Sequence, residues 1–391
     1  MFAYGFLSVV LVLYLSGLGF DEGRIGLLLT LTLAGDTLVS LLMTTRADRL
    51  GRKPTLVAGA LLMCAAGLPF AFSGDFWLLV VAATIGVISP SGNEVGPFLA
   101  IEQAALSEIV DSARRTDLFA RYNLVGSFST AFGALAGGWT AEILQNGGLA
   151  PTASYRVLVL AYAAAGLVLA LMFTMLTKSV EAARAGGEAA RTGGQAGFLG
   201  LGSSRRTVLG LSALFSIDAF AGGFVIQSFV ALWFHRRFGI SPGFIGTIFF
   251  GANLLAGFSA LGAAGIARRI GLVNTMVFTH LPSNVLLLLV PLMPTAPLAI
   301  GVLLLRFSIS QMDVPTRQSY TMSVVKPEER SAAAGVTGIA RTTGASLGPL
   351  LAGQLLSTPA LAGLPFIVAG GLKIVYDLLL FRSFRRVEAK G

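Results

Sequence analysis

Charge is the first thing this sequence lacks. Only 12% of its 391 residues are Asp, Glu, Lys or Arg, about half the share a soluble domain carries. That leaves too little polar surface to face water along a chain of this length. Cysteine is nearly absent too. Cys64 stands alone in an apolar run, and one thiol cannot close an internal disulfide. Histidine occurs twice, and the sequence shows no metal-ligand cluster, nucleophile elbow or paired-aspartate motif. A membrane-embedded enzyme is therefore not expected, nor a metal, nor a cofactor. The phosphate-binding Gly-x-x-x-x-Gly-Lys-Ser/Thr loop is missing, which argues against ATP-driven transport by this chain alone. No repeated charged ring or filter motif is present to make a channel.

What is there instead is apolar length. Hydrophobic residues make up 54% of the chain, and the mean hydropathy is +0.78. In a bilayer every backbone amide must be bonded within the protein, which leaves helical bundles or closed barrels. Barrel strands alternate apolar and polar residues, whereas the apolar stretches here are long and continuous. An all-α polytopic membrane protein is expected. With about 20 residues per crossing, spans fall near 1–19, 24–45, 54–74, 76–103, 115–144, 152–177, 206–235, 242–267, 272–294, 297–322, 330–357 and 360–381. The stretch 178–205, rich in Gly, Ala and Arg, reads as a flexible cytoplasmic linker. It separates a six-helix bundle at 1–177 from another at 206–383, with a tail at 384–391.

The net charge of +9 does not point to nucleic acid, because the basic residues cluster between spans. Arg46, Arg49, Arg52 and Lys53 follow span 2, and Arg114 and Arg115 follow span 4. Lys178, Arg184, Arg191, Arg205 and Arg206 follow span 6, Arg268 and Arg269 span 8, and Lys326 and Arg330 span 10. Arg382, Arg385, Arg386 and Lys390 end the chain. Every connection after an even-numbered span is thus basic, the mark of a cytoplasmic loop. Both termini are then cytoplasmic, and a bacterial inner membrane is the expected location. His235-Arg236-Arg237, after span 7, is an exception that the sequence does not explain.

The two halves resemble each other. Gly19-Phe20-Asp21-Glu22-Gly23-Arg24-Ile25-Gly26 matches Gly239-Ile240-Ser241-Pro242-Gly243-Phe244-Ile245-Gly246, 220 residues on. The same offset sets Ala47-Asp48-Arg49-Leu50-Gly51 on Ala267-Arg268-Arg269-Ile270-Gly271. Glu102 to Arg115 matches Arg317 to Arg330, and Gly133 and Gly138 fall on Gly348 and Gly353, at an offset of 215. This is a parallel repeat of six spans, an arrangement of transporter halves that rock about a midplane site. Span 1 then lacks the first turns of span 7, so it is either short or N-terminally truncated at Met1.

The loop Thr44-Thr45-Arg46-Ala47-Asp48-Arg49-Leu50-Gly51-Arg52-Lys53 resembles motif A of the major facilitator superfamily, Gly-x-Leu-Ala-Asp-Arg-x-Gly-Arg-Arg/Lys. It departs at Thr44 and Arg46. Gly344-Ala345-Ser346-Leu347-Gly348-Pro349 in span 11 is similar to the antiporter motif Gly-x-x-x-Gly-Pro. In that motif's usual place, span 5, Gly133-Ala134-Leu135-Ala136-Gly137-Gly138 lacks the proline. The resemblance covers essentially the whole chain. It implies two six-helix bundles, a cavity lined by spans 1, 4, 7 and 10, and a cytoplasmic latch at motif A. Gly51 permits the tight turn, and Arg49, Arg52 and Lys53 hold the loop at the anionic surface. Asp48 would sit against the N-terminal end of span 11 near Arg330. Rows such as Gly126, Gly133, Gly137 and Gly344, Gly348 read as helix-packing faces.

Ionisable groups inside a membrane cost at least about 2.5–3.5 kcal/mol at a helix centre, so those present need a reason. Asp36, Glu94, Asp218, Arg306 and Arg341 fall near the midplane by residue count. Glu94, Asp218 and Arg306 lie on the spans that the resemblance puts around the cavity. Glu94 follows Pro90-Ser91-Gly92-Asn93, which should kink its helix. A carboxylate in a partly dry cavity can exchange a proton at physiological pH, so Glu94 or Asp218 is a candidate proton carrier. The alternative is a permanent ion pair with Arg306. Asp36 and Arg341, at matching depth on spans 2 and 11, suggest a bridge between the halves that breaks and reforms. Asn123 could reach substrate. Asp313 could pair with Arg317 at i and i+4; Arg121, Glu102 and Arg317 could simply snorkel. His280 reads as a satisfied structural residue. Tyr4, Tyr14, Phe220, Phe224 and Trp233 line either an apolar pocket or the core.

The expected function is secondary active transport of a small organic solute by alternating access. Proton-coupled export is the first reading, and import of an organic anion or metabolite the second. A non-transporting membrane protein on the same fold is a third. The expected partners are the solute, protons and lipid, with the chain a monomer.

Overall fold

In lipid a helix bonds nearly all of its own amides, so long apolar runs coil. The computed structural model describes residues 1–92, 96–109, 115–177, 180–181, 201–202, 204–326 and 329–385, and among these no strand occurs. The helices are α1 (Phe2–Ser8), α2 (Leu11–Gly17), α3 (Glu22–Leu50), α4 (Arg52–Phe72), α5 (Phe76–Ile85), α6 (Phe98–Ile109), α7 (Arg115–Asn146) and α8 (Pro151–Thr174). There follow α9 (Arg205–Gly223), α10 (Gln227–Phe238), α11 (Pro242–Ile270), α12 (Leu272–Leu289), α13 (Ala296–Phe307), α14 (Asp313–Ser323), α15 (Arg330–Leu356) and α16 (Leu364–Phe384). Among the described residues, seven helical stretches are long and apolar enough to cross a membrane, and three shorter apolar helices accompany them. Large apolar side chains face outward, with Phe72 75%, Trp77 66% and Leu171 66% exposed, as lipid contact requires.

Eight of the expected spans are continuous helices, but spans 1, 4, 7 and 10 are each split in two. The interruptions lie at Val9-Val10, between Ile85 and Phe98, at 224–226 and at 308–312. In span 4 the cause is legible. Pro90 and Pro97 cannot donate to a helix, and Gly92 and Gly96 take φ of +75° and +80°. Two acids in the connections have a local role: Asp21 and Asp75 are N-caps, accepting from Arg24 N at 2.9 Å and Leu78 N at 2.8 Å.

The repeat is visible in the backbone. Gly51 joins α3 to α4 with φ +104°, and Gly271 joins α11 to α12 with φ +85°. Only glycine takes such angles without strain.

The chain divides into two compact units. The first is Met1–Gly186 with Ile226–Gly251, and the second is Gly187–Val225 with Ala252–Gly391. In the first unit α1 packs on α7, α4 on α8, α3 on α5 and α10 on α2. A Cβ at Gly133 would fall on the carbonyl oxygen of Phe2, and one at Gly137 on that of Phe6. In the second unit α9 packs on α15, and α16 on both α12 and α9. There a Cβ at Gly348 would meet the backbone of Gly223, and one at Gly344 the carbonyl of Ser216. These glycine rows therefore serve helix packing.

The first unit also accounts for the exceptional basic cluster. Arg236 forms an ion pair with Glu22 and donates to Ser16 Oγ at 3.1 Å. His235 Nδ1 lies 2.8 Å from Ile240 O. All three basic residues occupy the last turn of α10, where the carbonyl end of a helix favours positive charge. The same segment is tied by Gln227 Nε2 to Ser8 Oγ at 2.8 Å and by Gly243 N to Glu142 Oε2 at 2.8 Å.

Candidate functional site

The densest set of buried charges lies in the second unit. Asp218 comes from the end of α9 and is 4% exposed. Asp313 and Arg317 stand one turn apart on α14, and Lys373 and Asp377 one turn apart on α16. His280 and Asn284 lie on α12, on either side of Pro282. All are buried.

Each carboxylate has partners. Asp218 Oδ1 lies 2.5 Å from Lys373 Nζ, and its Oδ2 lies 3.3 Å from Arg317 Nη1. The same Arg317 nitrogen donates to Asp313 Oδ2 at 2.8 Å. Asp377 takes His280 Nδ1 on one oxygen at 2.9 Å and Asn284 Nδ2 on the other at 2.9 Å. With Asp377 ionised, His280 Nδ1 donates to it, and the Asn284 amide nitrogen, 3.1 Å from the same ring nitrogen, gives its hydrogen to Asp377 instead of to the ring. That leaves His280 Nε2 facing Asp218 Oδ1 at 3.9 Å. The ring of Tyr376 stands edge-on to His280, with centroids 6.0 Å apart.

Several expectations change here. Arg317 does not snorkel: it is 5% exposed and sits at the centre of the network. Depth counted along an unbroken helix misplaced it, because span 10 is interrupted at 308–312. The expected Asp313–Arg317 pair is present. Asp218 has Arg317 and Lys373, not Arg306, as its ion-pair partners. His280 is satisfied, as expected, yet its partners are charged. Lys373 and Asp377 were missed by the sequence reading, although their i, i+4 spacing inside an apolar span was a usable signal.

Other candidates are placed elsewhere. Arg306, in the last turn of α13, stacks over Phe307 with its Cζ 5.0 Å from the ring centroid. Arg341 is on α15 and Asn123 is exposed on α7. Asp36 on α3 accepts from Gly96 N at 2.6 Å and from Ser40 Oγ at 3.4 Å. Glu94 and most of the linker lie outside the described residues, as do the side chains of Asp48 and Arg49. Tyr4, Tyr14, Phe224 and Trp233 are core residues, at most 5% exposed.

The α3–α4 turn also differs from expectation. Arg52 is 4% exposed, and Lys53 Nζ donates to Leu176 O at 3.0 Å, so neither is spent on the lipid surface. The first amides of α4 are capped by an acid from beyond α8. Glu181 accepts from Arg52 N at 2.7 Å and Lys53 N at 3.1 Å.

The family model of the Major Facilitator Superfamily matches residues 1–349. The chain belongs to that superfamily. It is 32% identical, over 415 aligned positions, to the uncharacterized membrane protein YJR124C of Saccharomyces cerevisiae, covering 100% of this chain and 92% of the yeast protein. Among solved structures it resembles a bacterial homolog of the human lysosomal transporter Spinster (TM-score 0.75, 15% identity, covering 98% of this chain and 94% of that one). It also resembles a D-xylose–proton symporter (TM-score 0.75, 13% identity, 100% and 95% covered). A variant of the nucleoside transporter NupG gives a TM-score of 0.74 at 13% identity, with 98% and 96% covered. At these identities the structures establish the fold, which is that of the major facilitators. The protein is an integral membrane transporter of this superfamily and not an enzyme.

Proposed function

We propose that this major facilitator moves a small organic solute by alternating access and couples the movement to protons. Protons are exchanged at the buried network of the second unit. The observation that carries this reading is His280 between two carboxylates, with Nδ1 given to Asp377 and Nε2 facing Asp218 at 3.9 Å. An imidazole can gain or lose charge near neutral pH. Gain of a proton at Nε2 adds an attraction to Asp218 and competes with Lys373 and Arg317 for it. Release of Lys373 or Arg317 would in turn loosen α16 or α14 from α9. Proton binding and helix movement are thereby linked.

In this reading Asp36 and Arg341 form a bridge that closes in one state and opens in the other, and Asp48, Arg49 and Arg52 latch the α3–α4 turn. The basic connections and both termini are cytoplasmic. Glu94 and Asn123 are further contacts on the transport path. Export is the proposed direction, although the Gly-x-x-x-Gly-Pro match lies in α15 and the motif's usual place in α7 lacks the proline.

The test is uptake into proteoliposomes of purified protein, screened over labelled organic solutes with and without an imposed pH gradient. At least one solute should accumulate only with the gradient. His280→Gln should lose gradient-driven accumulation while keeping solute exchange, and Glu94→Gln shows whether that acid also carries protons. Transport that ignores the gradient for every solute carried would remove proton coupling.

A further inference from the structure

We infer that the solute is an organic anion and that Arg306 binds its acidic group. The inference rests on the transport reading above and names the substrate class of the same unit.

The first support is charge. Four cations, the buried Arg317 and Lys373 and the half-buried Arg306 and Arg341, lie in the second unit with three buried carboxylates, Asp218, Asp313 and Asp377. With His280 neutral the group is left with one positive charge. Arg317 and Lys373 are engaged by Asp218 and Asp313. Arg306 lies within electrostatic reach of the same two acids. It is not within ion-pair distance of a carboxylate among the described residues of this unit. An excess buried cation is costly unless an anion joins it.

The second support is an unmet demand for acceptors at one place. Arg306 Nε and Ser310 Oγ are both buried without a hydrogen-bond partner. They flank the end of α13, where span 10 is interrupted. An orphaned buried donor is destabilising, and one next to an unpaired guanidinium calls for an acceptor carrying negative charge. Carboxylate and phosphonate groups offer that geometry, whereas an amine offers only donors. The inference thus selects the organic anion named in the second reading of the sequence; it concerns the solute and not the direction of transport.

Anion and proton also fit together. A proton gained by the network adds a positive charge that a bound anion offsets, so the two binding events favour each other. The charged groups that set this balance are Asp218 on α9, Asp377 and Lys373 on α16, Asp313 and Arg317 on α14, Arg306 on α13 and Arg341 on α15.

The experiment is a thermal-shift titration of the purified full-length protein in detergent. The anionic probes are benzoate, succinate and phenylphosphonate; benzylamine and benzyl alcohol are the controls. At least one anion should raise the unfolding midpoint saturably, and the controls should not. Arg306→Gln should weaken that binding about ten- to a hundredfold. Arg306→Lys, which keeps the charge, should bind better than Arg306→Gln, and its ligand-free midpoint serves as the folding control. Stabilisation by benzylamine or benzyl alcohol equal to that by the anions would overturn the inference, as would the absence of any anion effect. Undiminished anion binding in Arg306→Gln would overturn it too. If an amine proves to be carried in proton-driven uptake, the anion assignment falls and proton-coupled transport stands.

Discussion

Replacing Lys373 by Met removes one of the two cations that hold Asp218. The ammonium lies 2.5 Å from Oδ1, and both side chains are less than 10% exposed. At an effective dielectric near 20 the direct attraction lost is about 6–7 kcal/mol. Lys373 no longer has to be stripped of water, which returns part of this, so the net cost should be about 3–5 kcal/mol, as for other buried pairs broken on one side. For a chain of 391 residues unfolding as one, that lowers the unfolding midpoint by about 4–6 °C. The double variant Lys373→Met, Asp218→Asn removes both charges. It should be more stable than Lys373→Met alone, with a coupling energy of at least about 2 kcal/mol. The assay is intrinsic-fluorescence melting of the four proteins in one detergent. Additive losses, or a loss below about 1 kcal/mol for Lys373→Met, would show that the two charges do not depend on each other and refute the reasoning.

Three further outcomes are expected. Gly133→Leu and Gly348→Leu should each cost about 1–3 kcal/mol or more by forcing packed helices apart, whereas Gly371→Ala, which has open space at its Cβ, should stabilise α16 by up to about 1 kcal/mol; thermal melting separates them. Glu181→Ala removes the cap on α4, costing about 1 kcal/mol, and should speed hydrogen exchange at the Arg52 and Lys53 amides. Glu329 lies outside the membrane-spanning segments, and hydrogen bonds from the Ser204 side chain and from the backbone of Ser204 and Gly202 hold its carboxyl below the usual value. A depressed carboxyl adds stability above its unfolded pKa and loses it as pH falls through the folded one. The melting temperature of the parent protein should therefore fall more steeply below about pH 4.5 than that of Glu329→Gln; equal slopes would dismiss the cap.

Much of the architecture was readable because it follows from local rules. Gly51 and Gly271 share a motif position and a positive φ, and a turn of one residue between two helices demands both. Asp313 and Arg317 met because four residues on a helix make one turn. The glycine rows of α7 and α15 read as packing faces and are. What failed had non-local causes. Counting depth along span 10 assumed an unbroken helix, so Arg317 was set near an end. Lys373 and Asp377 were passed over inside an apolar span. The partners of His280 come from α16, 97 residues away in sequence for Asp377, and no periodicity reports such a meeting.

The segment Ile226–Gly251 has a consequence for the order of events at the ribosome. Its partners in the first unit, Ser8, Ser16, Glu22 and Glu142, are all synthesised long before it. At about 5–20 residues per second, those groups wait through the emergence of the linker and of α9 before their partners arrive. A fragment ending at Gly186 would never receive them, so separately expressed halves cut at the linker would each start with unfinished work. A first fragment carried on past Ile270, the end of α11, would bring Gln227, Arg236 and Gly243 to those partners.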